Sequence, residues 1–216
     1  MRIVETPIFT FDELEDRAKD AALSRLRENA FTDSWDWDHI FEDAATIGDL
    51  LGFDLRQKFV KTMDGSGRYA PAIFFRGFCS QGDGACFEST YRYAPGAEDA
   101  ITAHCGGTDK TLVAIAARLQ AMQKSHFYKL RATTVQSGHY CHEYSMRINM
   151  ECDCARCQGY APGAETEEEF KEICADFARW IYRNLEKEYE YQTSNEALIE
   201  VIAMNEHEFY EDGRMV

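Results

Sequence analysis

A chain of 216 residues, 45% apolar and 13% aromatic, holds enough apolar material to bury a core without disulfides or metals. It contains no apolar run of about 18 residues for a membrane span, and its start, MRIVETPIFTFDELEDRA, lacks the apolar segment of a signal peptide; one α+β domain over residues 1–216, in the cytoplasm, is the expectation. A net charge of −15 argues against direct contact with nucleic acid, which calls for clustered Lys and Arg.

That charge is unevenly spread. Residues 1–53 carry 13 acids and 5 bases, residues 54–164 carry 10 and 13, and residues 165–212 carry 15 and 4. The three stretches also differ in pattern: a strand and helices first, then a hairpin-rich sheet with inserted helices, then helices again.

In chain order, a short strand over Ile3 to Phe9 precedes TFDE, where Thr10 and Glu13 make a capping box for a helix running to about Ala30. Leu14, Ala18, Ala21, Ala22 and Leu26 give that helix an apolar face. A second helix is predicted from about Ser34 to Leu51, with Gly52 as its stop. Strands follow over Phe53 to Val60 and Ala70 to Cys79, about the turn MDGSGR.

The next stretch, SQGDGACFE, admits three readings: a phosphate cradle, a nucleophilic Cys86, or a turn. A phosphate loop needs a Lys and a following helix, and here a β-rich segment follows. A nucleophile needs a basic partner, for which His104, His139 and His142 are candidates without a placement. The turn reading makes Ser80, Gln81, Gly82, Asp83 and Gly84 the hinge of a tight hairpin, with Gly82-Asp83 as the two loop residues and Cys79 opposite Cys86.

Past the break at Pro95-Gly96, helices are predicted over Ala97 to His104 and Lys110 to Gln123. Two more strands follow about Ser137-Gly138. A second YAPGA, Tyr160 to Ala164, echoes the first at Tyr93 to Ala97, either as a weak internal duplication or as two uses of one strand-to-helix connection. Thr166 with Glu169 then opens a long helix to about Tyr189 whose core face is Phe170, Ile173, Cys174, Phe177, Trp180, Ile181 and Leu185. Thr193 with Glu196 opens the last helix, carrying Leu198, Ile199 and Ile202. The expected product is an antiparallel sheet of about five strands, built on two hairpins and covered by N-terminal and C-terminal amphipathic helices.

The eight cysteines of a chain in a reducing compartment read as buried thiols or metal ligands. In ECDCARCQG, the C-x-C-x-x-C spacing of Cys152, Cys154 and Cys157 suits one structural Zn²⁺. A fourth ligand is not adjacent: at about 3.3 Å per residue, Cys141 stands roughly 35 Å from Cys152 along a straight strand, leaving a bend, Cys174, His139 or a partner chain. A cysteine-containing loop without metal is the alternative. Of Trp35 and Trp37, two apart at a helix start, at most one faces the core fully.

FFRGFCSQGDGACFE followed by YRYAPGA, and GHYCHEYSM followed by FARWIYRNLEKEYEYQTSNEAL, resemble a family encoded by bacteriophages and prophages, whose members are labelled hypothetical or "antitoxin of toxin–antitoxin stability system". The resemblance covers most of the chain and brings no established activity with it. It implies a phage protein that binds a host protein or nucleoprotein complex. The leading expectation is an inhibitor of a host defence system, of the anti-CRISPR kind, acting through acidic helical surfaces that include Trp35, Asp36, Asp38, Glu186 and Glu190. An antitoxin is the second reading. A small-ligand or nucleotide-signal binder, or an enzyme, is the third, with Tyr91, Arg92, Tyr93 and His142 near its pocket.

Overall fold

A computed structural model describes residues 6–30, 37–61, 65–153 and 162–216, except for the side chains of Asn29 and Ala30. The fold is α+β, with antiparallel sheets and helices at both ends of the chain. It forms two compact units, Met1–Asp36 with Glu186–Val216, and Trp37–Leu185.

In the larger unit, helix α2 (Asp38–Leu51) stops where the sequence places its glycine. Gly52 takes a φ of 96°, and its amide returns to the carbonyls of Gly48 and Asp49. Three long strands follow, and each changes partner at one residue. β1 (Phe53–Leu55) continues through Arg56 into β2 (Gln57–Lys61). β3 (Gly67–Pro71) continues through Ala72 into β4 (Ile73–Arg76), and β5 (Gly84–Phe87) through Glu88 into β6 (Ser89–Arg92).

β2 pairs with β3, β4 with β5, and β1 with β6, so each long strand pairs with both of the others, and β6 pairs with β7 as well. The amide of Arg56 donates to Glu88 (2.9 Å), that of Glu88 to Ala72 (2.9 Å) and that of Ala72 to Arg56 (2.7 Å). This closed ring of three bonds satisfies the backbone where the ladders part. Beyond β6, α3 (Ala97–His104) and α4 (Lys110–Ser125) lead to β7 (Leu130–Gln136) and β8 (Met146–Cys152), completing a sheet of order β1-β6-β7-β8.

The inner side of that sheet is covered by α5 (Ala164–Gln192), which starts at the last alanine of the second YAPGA as α3 does at that of the first. Phe53 sits at the centre, fully buried, with its ring 5.7 Å from Phe87, 5.0 Å from Tyr91, 5.9 Å from Phe170 and 5.6 Å from Phe177. Each such ring contributes about 2–3 kcal/mol through burial. The seven core positions expected on α5 are all buried.

In the smaller unit, α1 (Asp16–Ala30) and α6 (Asn195–Met204) enclose Ala18, Ala22, Leu23, Leu198 and Ile202, with Leu14 and Phe209 added from the flanking chain. Arg27 ties the two by donating to the carbonyl of Thr193 (2.9 Å) and to Asn195 (2.7 Å). Phe9 bridges to Phe209, where a strand over Ile3 to Phe9 was expected; Ile3 lies outside the described residues. The Thr10–Glu13 capping box forms, but it closes a 3₁₀ turn (Phe11–Glu13) that breaks at Leu14, and α1 starts two residues later. At α6, Ser194 rather than Thr193 caps the helix, accepting from the amide of Ala197, because the Thr193 hydroxyl donates back to Tyr189.

Candidate functional site

The predicted hairpin register is corrected. β4 and β5 pair Phe74 with Cys86 and Arg76 with Gly84, which leaves residues 77–83 as a seven-residue loop and removes Cys79 from opposite Cys86. Within the loop, the amide of Asp83 donates to Ser80, with Gly82 at φ 94° in the third turn position. One Asp83 carboxylate oxygen accepts from the amides of Cys79 (2.9 Å) and Ser80 (2.6 Å). Those are the N–H groups an anion would need, so the loop holds its own carboxylate in place of a phosphate.

Cys86 is fully buried, and burial pushes its thiol up to about 11, against the hydrogen bonds it receives from Ser145 and the His142 backbone. A thiol so placed stays protonated and is no primary nucleophile. Cys141 lies on the connection between β7 and β8. That connection packs on β5: a Cβ at Gly84 would lie 3.3 Å from both His142 and Glu143. The His142 ring faces its own neighbours, accepting from the amide of Tyr144 and lying 3.3 Å from Glu143.

Glu143 also accepts from Arg179 (3.1 Å), and Arg179 reaches Asp176 (2.8 Å). Arg118 joins Asp176 to Glu169, both at 2.7 Å. This alternating chain of three carboxylates and two guanidinium groups welds the β7–β8 connection to α4 and α5.

On the outer face of the four-stranded sheet, strand register aligns two polar rows. One is Asp54, Thr90, Thr133 and Asn149; the other is Arg92, Arg131 and Glu151. They line an open cavity of about 470 Å³. Arg131 pairs with Asp153 at 2.7 Å, whereas the Arg92 guanidinium has no ion-pair partner among the described residues. The arrangement offers adjacent guanidinium groups for an anion, flanked by carboxylates and an amide. Of the pocket residues expected from the sequence, Tyr91 and Arg92 line this cavity. Tyr93 instead packs against Tyr128 at 4.6 Å, and His142 belongs to the charge chain above. The outward side chains of β7 and β8 follow the alternation of RATT and NMEC, a signal present in the sequence.

The smaller unit carries a different concavity. Phe11, Ile199, Ile202 and Ala203 line a groove of about 380 Å³ with Thr10, Asp12, Glu206, His207 and Glu208 around it. Ile199, one of the three apolar residues noted on the last helix, is 40% exposed, because Leu198 and Ile202, one turn apart, take the face toward α1. Val201 and Met204 are exposed beside it. This unit holds 18 acids against 7 Lys and Arg in 67 residues, net −11, while the larger unit holds 20 against 16 in 149, net −4.

The remaining candidates are scattered. Trp35 and Asp36 lie outside the described residues; Trp37 packs on Phe75 (5.3 Å) and Phe78 (5.8 Å). Asp38 is engaged in a two-pronged pair with Arg68. Glu186 and Glu190 lie on the last turns of α5, in the smaller unit, and Glu190 is exposed. Cys152 is 6% exposed in the core at the end of β8, and Cys154 and Cys157 lie outside the described residues. Among the described residues, no three His, Cys, Asp or Glu gather as metal ligands. No helix in the described residues is long and apolar enough to cross a membrane.

Neither the curated proteins nor the solved structures contain a match to this chain. A family defined as a domain of unknown function matches residues 35–195, about three quarters of the length and nearly the span of the larger unit. The chain therefore belongs to the DUF8835 family.

Proposed function

We propose that the protein is a phage-encoded, acidic interaction protein of the host cytoplasm that inhibits a host defence complex, of the anti-CRISPR kind, by binding it. The observation that supports this reading is the coincidence, in one small unit, of a net charge of −11 with an exposed apolar groove rimmed by Asp12, Glu206 and Glu208. An apolar centre with an acidic rim suits a basic, amphipathic segment of a nucleic-acid-handling protein, and the carboxylates give the attraction its salt dependence. The phage assignment rests on the sequence resemblance.

The test uses the full chain. It retains a host nucleic-acid-handling complex at low salt, releases it as salt rises, and blocks that complex's nucleic-acid binding in a gel shift. Ile199→Glu, at an exposed groove position, abolishes retention without unfolding the chain. Failure to retain any such complex at low salt overturns the reading. Capture of a small toxin, with rescue on co-expression, replaces it by the antitoxin.

A second reading, an anionic small-ligand binder, is favoured by the sheet-face cavity that sets Arg92 beside Arg131. A nucleotide present at a hundred times its Kd would stabilise the fold by about 2.7 kcal/mol. A nucleotide panel that leaves the melting temperature unmoved removes this reading. One structural zinc at Cys152, Cys154 and Cys157 is proposed on spacing; zinc well below one equivalent in the purified chain refutes it.

A further inference from the structure

We propose that β8 is a dimerisation edge: two copies of the chain pair this strand with itself, antiparallel about a two-fold axis at Asn149, so that Arg147 of each copy faces the partner's Glu151. The two four-stranded sheets then become one. The proposal rests on residues of the larger unit and needs neither the acidic groove nor a ligand on the sheet face.

β8 ends the sheet order β1-β6-β7-β8, and among the described residues no strand lies beyond it. Along the strand Arg147, Asn149 and Glu151 are exposed, while Met146, Ile148, Met150 and Cys152 join the core. The backbone alternates the other way. Just before and just after β8, in the same register with β7, the amide of Ser137 donates to the Ser145 carbonyl (2.9 Å) and that of Asp153 to the Lys129 carbonyl (2.8 Å). Odd-numbered residues of β8 therefore spend their N–H and C=O groups on β7, and Met146, Ile148, Met150 and Cys152 aim theirs at the outer edge. Among the described residues, no backbone group outside β7 bonds to those four. A seven-residue edge of this kind is a template for a further strand.

The order of side chains selects a second copy as that strand. Centred on Asn149, antiparallel pairing runs the whole of β8 against itself: Met146 opposite the partner's Cys152, Ile148 opposite the partner's Met150, and Arg147 opposite the partner's Glu151. The charged pair falls at non-hydrogen-bonded positions, where opposing Cα atoms stand about 4.5 Å apart and side chains are closest. Moving the axis to Ile148 or Met150 sets a charge against Asn149, and moving it to Arg147 or Glu151 sets like charges face to face. Only the full-length register matches opposite charges, and the two-fold axis repeats the match. Among the described residues neither side chain has an ion pair within its own chain; Arg147 donates to the Ser137 hydroxyl at 3.3 Å. The copies meet through the unit of net charge −4 rather than the one of −11, which limits their mutual repulsion. In the joined sheet the row Arg92, Arg131 and Glu151 continues into the partner's Arg147.

The experiment is sedimentation equilibrium of the full chain under reducing conditions, which reads twice the 24.8 kDa of one chain. Arg147→Glu sets carboxylates against each other in both symmetric pairs, and Glu151→Arg does the same with guanidinium groups. Each raises the Kd of the dimer by about tenfold or more, with an unchanged circular dichroism spectrum because both positions are exposed. Mixing the two single variants restores a dimer, since one copy then carries Glu at both positions and the other Arg at both. The double variant Arg147→Glu with Glu151→Arg restores it within one chain. A merely structural role for either residue would not be rescued by mixing. A parent chain that sediments as a monomer at about 100 µM, a dimer indifferent to both single substitutions, or a mixture that stays monomeric overturns the proposal.

Discussion

Trp180 donates its indole N–H to the carboxylate of Asp109 across 2.6 Å, and the other Asp109 oxygen accepts from the amides of Thr111 and Leu112. One side chain thus caps the start of α4 and locks it to α5. Asp109→Ala removes the cap, about 1 kcal/mol, and strands an indole N–H that is nearly out of water, about 1–3 kcal/mol more. Asp109→Asn keeps an oxygen for the cap but sets an amide N–H₂ against the indole, so it falls between. Urea unfolding at pH 7 ranks the three proteins.

Gln123 is fully buried and spends its amide inside the core. It donates to Tyr91 (3.2 Å) and to the Leu130 carbonyl (2.9 Å), and accepts from the Leu130 amide (3.2 Å). Gln123→Leu preserves volume and leaves both backbone groups of Leu130 unpaired at the start of β7. The expected loss is about 2–4 kcal/mol, with amide exchange accelerating first at Leu130.

Local chemistry was legible where the deciding contact is local. Pro95-Gly96 before α3, Gly52 after α2 and the apolar spacing along α5 each act within a turn or two of chain, and each stands as read. Partner exchange at Arg56, Ala72 and Glu88 was not legible, because each long strand looks the same whether it keeps one neighbour or takes two. The 77–83 loop misled for a related reason: Gly82-Asp83 fits a two-residue hairpin, and only the Asp83 carboxylate folding back on Cys79 and Ser80 reveals the longer one. The packing of the β7–β8 connection on β5 at Gly84 was not legible either, because no spacing rule links the two segments. The outward polar rows of the sheet were readable from alternation once the strands were aligned.

Gly52 combines a φ of 96° with a close approach, since a Cβ there would lie 2.1 Å from the Arg92 carbonyl oxygen. The same contact region carries the Arg92 amide bond to the Gly52 carbonyl at 3.0 Å. Gly52→Ala therefore meets backbone strain of about 1–2 kcal/mol and must also push β6 from the end of α2. The total expected loss is about 3 kcal/mol or more, read as a fall in melting temperature.

Ser89, register partner of Leu55 and Thr134, is fully buried, and its hydroxyl has no hydrogen-bond partner among the described residues. The hydroxyl carries a desolvation cost that nothing there offsets. Ser89→Ala removes it at little loss of volume and is expected to stabilise the chain by about 1 kcal/mol, against the trend of core substitutions. A lower urea midpoint for this variant would show that the hydroxyl is satisfied.

Tyr91 supplies the pH dependence. Burial pushes its phenol up to about 12 from an ordinary 10.0, despite the hydrogen bond from Gln123. The unfolded chain therefore releases this proton first as pH rises, the folded chain holds more protons between pH 10 and 12, and stability falls through that window. The contribution is complete below pH 10 and amounts to about 2–3 kcal/mol lost by pH 12. Cys86, raised from 9.0 to about 11, and the fully buried Cys174, raised further by burial, add the same sign from pH 9 upward. Tyr91→Phe removes the phenol and flattens the decline above pH 10 while leaving the thiol part below it. Urea unfolding at pH 8, 10 and 11.5 separates the two, and parallel curves for parent and Tyr91→Phe would refute the assignment.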